Sequence, residues 1–252
     1  ASEIMELSGK IDKNGRLVWK APKGDWTIIR MGYTSNYHIT RPSPYLAVGL
    51  ESDRLHPRGI DTRFENRLQP IIEAAGEKAG RTLKYIHIDS WEAGGQNWSL
   101  GFAEEFRKRR GYDISPWLPV LTGHAVDSKE KTERFLWDVR KTVGEVILDN
   151  YIIRLQELTA PYGMQNSNEP YGRLGINSLN YAAKSDFIIG EFWTERKIID
   201  KFPTFQDYWY TSMKGLASVA NTYGKTRVGA ESFTGSRGWV DHPYLIKGMG
   251  DE

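Results

Sequence analysis

Two hydrophobic rhythms alternate along this chain, one of period two and one of period near 3.6. Up to about residue 62 the apolar runs are short and bounded by turn signals. Asn14-Gly15 precedes Leu17-Val18-Trp19, and a turn from Pro22 to Gly24 precedes Trp26-Thr27-Ile28-Ile29-Arg30. Such punctuation predicts strands, so residues 1–62 are expected to form a β-rich segment. From Phe64 the spacing lengthens: Phe64, Leu68, Ile71, Ile72 and Ala75 share one helical face that ends at Gly76 or Gly80. Tyr85–Asp89 alternates as a strand. Residues 99–111 predict a helix capped by Ser99 and Gly111. A long amphipathic helix is expected from about Ser128 to Tyr162, with Phe135, Leu136, Val139, Val143, Val146, Ile147, Ile153 and Leu155 on its apolar side.

The second half repeats one theme. "MQNSNEPYG" (164–172), "DFIIGEFW" (186–193) and "RVGAESFT" (227–234) read as short strands that close on glutamates, with a helical run from Tyr208 to Tyr223 between the last two. Strand–helix alternation argues for an α/β fold with a parallel sheet, closed as a barrel or left open. About five strands are convincing in all.

In "YIHIDSWE" (85–92), Tyr85, His87 and Asp89 share one face of the strand and Ile86 and Ile88 the other. The branched pair suits packing against helices, which turns the polar set toward the barrel interior. One such strand could simply place a capping aspartate. Three more, carrying Glu169, Glu191 and Glu231, change the balance, because parallel strands of one barrel bring their C-terminal ends to a common rim. Converging carboxylates repel and are unfavourable for stability alone. With Trp91, Trp98, Phe192, Trp193 and Trp239 beside them, they suit glycoside hydrolysis, in which one carboxylic acid protonates the leaving oxygen and a second carboxylate activates water or attacks carbon.

Composition narrows the classes further. A net charge of +2, with both signs scattered, offers no basic stripe for nucleic acid and no polybasic membrane patch. No apolar run approaches the roughly 18 residues of a spanning helix. Cysteine is absent, which excludes disulfides and thiolate metal sites. Gly94-Gly95 lacks the rest of a phosphate motif, and neither Gly-x-Ser-x-Gly nor His-Glu-x-x-His occurs. His38, His56, His124 and His242 show no metal-ligand spacing.

Six ordered segments, "HIDSWEAGGQNW", "FAEEFRKRRGYD", "WLPVLTG", "ERFLWDVRKTV", "GEFW" and "AESFT", together resemble the family 106 glycoside hydrolases, inverting α-L-rhamnosidases of gut and marine bacteria. The resemblance runs from about Gly15 to Met249. It implies a (β/α)8 TIM-like barrel over residues 63–252, incomplete here, behind the N-terminal β-rich segment. It also implies a rhamnose-containing plant or algal polysaccharide as substrate and an extracytoplasmic location in a bacterium. Glu92 is similar to the family's general acid, Glu231 to its general base, and Glu191 to a third essential acidic position that contacts substrate or calcium. Calcium near the sugar hydroxyls is implied in the same way, with Asp89, Glu169 and Glu191 as candidate ligands. Asp89, His87, Trp91, Gln96, Asn97, Trp98, Glu169 and Trp193 are the expected sugar contacts. Family members are several times longer, so the chain is expected to be a fragment or a trimmed member, its barrel completed by further domains or chains.

Two rivals stand beside this reading. Asn168-Glu169-Pro170 also fits a retaining barrel glycosidase for another sugar, with Glu169 as acid/base and Glu231 as nucleophile. A non-catalytic carbohydrate-binding barrel is the other.

Overall fold

The computed structural model describes residues 4–40, 43–172, 175–193, 213–235 and 240–251. The chain divides into two compact units, Ala1–Ser35 with Asn97–Val143, and Asn36–Gln96 with Gly144–Glu252.

In the first unit, helix α3 (Phe102–Arg110) starts after Gly101, which adopts the left-handed conformation, rather than at Ser99. It stops where expected: Gly111, at φ 82°, donates its N–H to the Arg107 carbonyl. Phe106, fully buried, packs on Phe135 of helix α4 (Lys129–Ile147), and Trp117 stacks on the same ring at 5.7 Å. The Tyr112 hydroxyl donates to Asp138 at 3.0 Å, tying the loop after α3 to α4.

The expected N-terminal strands do not form. Residues 4–40 and 43–56 contain two isolated antiparallel bridges, Ile11 with Leu17 and Ile39 with Leu50, and two single 3-10 turns. Val18 and Ile28 remain 68% and 60% exposed. An alternating run becomes a stable strand only when a neighbour takes its hydrogen bonds along its length and another layer takes its apolar side chains; Val18 donates one N–H, to the Lys10 carbonyl, and neither Val18 nor Ile28 is covered.

The second unit is built on a four-stranded, wholly parallel sheet. Its strands are β1 (Tyr85–Ile88), β2 (Gln165–Asn168), β3 (Phe187–Trp193) and β4 (Val228–Thr234), ordered β1-β2-β3-β4. Helices α1 (Pro57–Arg63) and α2 (Gln69–Ala75), joined by a π-helical turn, precede β1. The long predicted helix is continuous but not uniform: α4 passes through a π-helical turn at Leu148–Ile153 into α5 (Arg154–Thr159) and a last 3-10 turn. Helix α6 (Ser178–Lys184), capped by the Asn177 side chain, precedes β3. Helix α7 (Met213–Thr222) precedes β4, and α8 (Pro243–Asp251) follows it. The earlier part of the helical run predicted from Tyr208 lies outside the described residues.

Strand order without reversal is the order of a (β/α) barrel, whereas doubly wound sheets reverse at a switch point. The described sheet has four strands rather than about five.

Alternation divides the sheet into two faces, as the β1 pattern predicted. Ile88, Asn166, Asn168 and Ile188 lie on the helix-covered face, where Ile188 packs with Ala182, Leu216, Val219 and Ala220. The buried Asn168 amide donates to Ser185 Oγ at 2.8 Å, and Thr159 Oγ1 donates to Asn166 Oδ1 at 3.2 Å. Gly190 lets α7 lie close: a Cβ there would stand 2.5 Å from Met213 Sδ and 2.9 Å from Leu216 Cδ1. Leu216 is wholly buried, so Leu216→Ala is expected to reduce stability by about 2–5 kcal/mol in urea denaturation. A change under about 1 kcal/mol would show that this layer does not hold the sheet.

Candidate active site

The other face of the sheet carries the candidate site residues. Register places Tyr85 beside Gln165, His87 beside Ser167, Ser167 beside Phe187 and Glu191 beside Glu231. Two contacts confirm that these side chains share a face: His87 Nδ1 and Ser167 Oγ lie 3.0 Å apart, and the Tyr85 and Phe187 rings are 5.8 Å apart. Asp89 and Glu169, each one residue past its strand, continue the pattern. Neighbouring strands lie roughly 4.8 Å apart, so Glu191 and Glu231 start from adjacent backbones and point the same way. Both strands run on for two or three residues beyond their glutamates.

Glu169 is 3% exposed. Its Oε2 accepts from the Tyr171 hydroxyl at 2.6 Å and from the Ser90 N–H at 3.2 Å, while Oε1 lies 3.7 Å from His87 Nε2. Burial pushes this carboxyl up to about 8. The Tyr171 hydrogen bond opposes that rise, and the neighbouring Asp89 carboxyl and the Glu231 charge add to it. The Tyr171 hydroxyl is itself raised, by burial first and then by its bond to Glu169 and the charges of Glu169, Glu191 and Glu231. Glu169, Glu191 and Glu231, from three strands, therefore act on one hydroxyl. Register sets Glu191 beside Glu231, and Asp89 lies beside Glu169, on the same face of the sheet.

Past Glu231 the pairing slips. Phe192 faces Ser232, but Trp193 faces Thr234, so Phe233 is an extra residue, held at φ 62°. Such a bulge reverses the parity of the strand beyond it. It turns Thr234 to the side of Glu231, where its hydroxyl reaches Glu231 Oε1 at 3.5 Å.

The loop after β1 holds the remaining candidates. Asp89 is exposed, and its Oδ1 accepts the Ser90 N–H at 2.7 Å. Glu92 is exposed. Trp91 is 7% exposed; its indole N–H donates to the Gly94 carbonyl at 2.8 Å and its backbone N–H to the Tyr171 carbonyl at 3.0 Å. That close approach depends on Gly172, at φ 112°, where a Cβ would fall 2.6 Å from the Trp91 carbonyl oxygen. Gln96 uses both ends of its amide on backbone, accepting from Arg54 N–H at 2.9 Å and donating to the Ser52 carbonyl at 3.0 Å. Trp91 and Gln96, expected at the sugar, thus spend their polar groups on shaping the loop. Asn97 and Trp98 belong to the first unit, where the Trp98 ring packs on Phe102 at 5.0 Å. His87 is half-exposed beside Glu169. The side chain of Trp193 and all of Trp239 lie outside the described residues. Sequence reading missed Tyr171, although its place two residues after Glu169 was a signal; the partners of Arg54 carried none.

His87, Asp89 and Glu169 offer ligand atoms within 4.8 Å of one another. Calcium takes oxygen ligands, so the carboxylates of Asp89 and Glu169 fit it, with Glu191 on the same face, and the imidazole does not. A divalent cation would also offset the Asp89 and Glu231 charges that add to the effect of burial on Glu169.

Comparison with known proteins bears on the family and the fold. A sequence model of glycoside hydrolase family 106, described as alpha-L-rhamnosidase, matches residues 1–252. A protein of Formosa agariphila named "Putative beta-glucuronidase" is 38% identical over 249 residues, 99% of this chain and 20% of that protein. The solved rhamnosidase of Novosphingobium sp. PP1Y superposes with a TM-score of 0.75 at 26% identity, covering 96% of this chain and 24% of that one. The chain thus spans about a fifth to a quarter of the length of these relatives.

Proposed function

Because the chain belongs to glycoside hydrolase family 106, the family of α-L-rhamnosidases, we propose that it carries the catalytic carboxyls of an inverting enzyme that removes terminal α-L-rhamnosyl residues from plant or algal polysaccharides. The observation that carries the reading is the gathering of Asp89, Glu169, Glu191 and Glu231 on one face of the sheet, close enough for Glu231 to raise the Glu169 carboxyl.

In this reaction Glu92 protonates the glycosidic oxygen as it leaves. Glu231 takes a proton from water, which attacks the anomeric carbon from the opposite side in a single displacement. Inversion needs the two carboxyls roughly 6.5–9.5 Å apart to admit that water. Asp89, Glu169 and Glu191 would hold calcium; when bound, it supplies positive charge for orienting sugar hydroxyls and offsets the cluster's own repulsion. His87 would contact the sugar from the same face. Glu169 is unsuited to protonating substrate directly, despite its raised pKa, because it is buried under Tyr171 and Ser90. That weighs against the retaining alternative. The polymer substrate is too large to enter a cell intact, which favours an extracytoplasmic location; no helix among the described residues is long and apolar enough to cross a membrane. Four sequential parallel strands form half of an eight-stranded barrel, and closure by further strands belongs to the same proposal.

The name of the Formosa relative raises a glucuronide as substrate. A uronic acid carries its own carboxylate. The active face presents Asp89, Glu169, Glu191 and Glu231, and no lysine or arginine among its strand positions from Tyr85 to Glu231. Without a bound cation, repulsion there disfavours a uronate and favours a neutral deoxy sugar.

Proton NMR of the hydrolysis of an aryl α-L-rhamnoside tests the mechanism: β-L-rhamnose is expected to appear first and then mutarotate. First appearance of the α-anomer would replace single displacement by double displacement, and binding without release would favour the non-catalytic reading.

A further inference from the structure

Glu92 is exposed, so the direction in which it points is inherited from the loop that carries it. Two grips hold that loop, one on each side of Glu92, and both lead to Arg54. On one side the Arg54 guanidinium carbon lies 4.5 Å from the centre of the Trp91 ring and 4.8 Å from that of Tyr151. A planar, delocalised cation can stack on both rings in this way, and the compact ammonium of lysine cannot. On the other side Arg54 donates its backbone N–H to the Gln96 side chain, which in turn donates to the Ser52 carbonyl.

The clamp is itself anchored. Glu51 answers the Arg54 charge at 2.9 Å, both side chains being about 10% exposed. Tyr151 stands in the π-helical turn before α5, and the next residue back, Asn150, donates to the Leu55 carbonyl at 2.6 Å. Arg54, Asp89, Trp91, Tyr151 and Tyr181 line one small cavity behind the loop. These contacts centre on Trp91, the residue next to Glu92.

We infer that Arg54 is a positioning residue: by stacking on Trp91 and fastening Gln96, it sets the line along which Glu92 delivers its proton to the leaving oxygen. The inference rests on the reading of Glu92 as general acid, and its test separates the two. A dinitrophenyl α-L-rhamnoside has a leaving group that departs without protonation; an alkyl α-L-rhamnoside does not. Arg54→Lys keeps the charge beside Glu51 and removes the planar stack, while Gln96→Ala loosens the other grip without altering charge. Each is expected to lower kcat on the alkyl substrate by about 10–100-fold and on the dinitrophenyl substrate by less than about threefold, with KM little changed, because a displacement near 1 Å can reduce a rate about 100-fold. Equal losses on both substrates, or none on either, would overturn the proposal. Glu92→Gln is the reference. If it is selective for the alkyl substrate while Arg54→Lys is not, the clamp alone fails; if Glu92→Gln loses both equally, the acid assignment fails and the clamp with it.

Discussion

Glu231→Gln is expected to lower kcat by roughly 10²–10⁴-fold and to leave the unfolding transition in place. The rate loss follows from chemistry, since an amide cannot take a proton from water and the contribution of a general base is of that order. The unchanged stability follows from place: Glu231 is exposed, and its carboxyl contributes repulsion to Glu169 and Tyr171 rather than a buried ion pair. Glu92→Gln is its counterpart, with a comparable loss on substrates that need protonation. Steady-state kinetics of the two variants, with thermal unfolding as the control, decide the matter. Near-native turnover by both would remove these glutamates from the mechanism. A loss matched by a lower Tm would make Glu231 structural.

The second large effect concerns Glu169 and pH. In metal-free protein its native carboxyl holds a proton until about 8, whereas in the unfolded chain it releases it near 4.5. Between those values the native state binds more protons than the unfolded state, so its contribution to stability falls as pH rises. The contribution is fully present below 4.5, is lost progressively toward 8, and changes no further above that. The slope approaches ~1.4 kcal/mol per pH unit, opposite in sign to that of a salt-bridged carboxylate. In EDTA, the Tm of the native sequence should therefore decline from about pH 5 to pH 8 relative to Glu169→Gln, whose amide stays neutral. Calcium at neutral pH should reverse the order, raising the Tm of the native sequence and leaving that of the variant nearly unmoved. Parallel pH curves would show that Glu169 ionises normally, and equal calcium shifts would remove it from the ligand set.

Much of this site was legible in the chain because strands obey a simple parity. The alternation of Tyr85, His87 and Asp89 against Ile86 and Ile88 named the active face of β1, and the burial of Ile88 agrees. In the sequence Glu169, Glu191 and Glu231 read as closing short strands; Glu169 follows the last residue of β2, whereas β3 and β4 continue past Glu191 and Glu231, which the register brings side by side. The same reading failed at the N-terminus, where Leu17–Trp19 and Trp26–Arg30 alternate without a partner strand or a covering layer. Trp91 shows another limit. Its ring type suited sugar stacking, but its environment of Arg54, Gly94 and Tyr171 came from residues scattered along the chain.

From Phe64 onward the sequence by itself determined where the helices and the four strands lie and which face of β1 is apolar, because those depend on side chains close together in the chain. Only the tertiary structure decided that Glu169 is buried, which raises its pKa, while Tyr171 and Ser90 hydrogen-bond it, that the bulge at Phe233 turns Thr234 toward Glu231, and that Arg54 stacks on Trp91. Burial, register and stacking join residues tens of positions apart, and a period along one strand carries no information about what covers it.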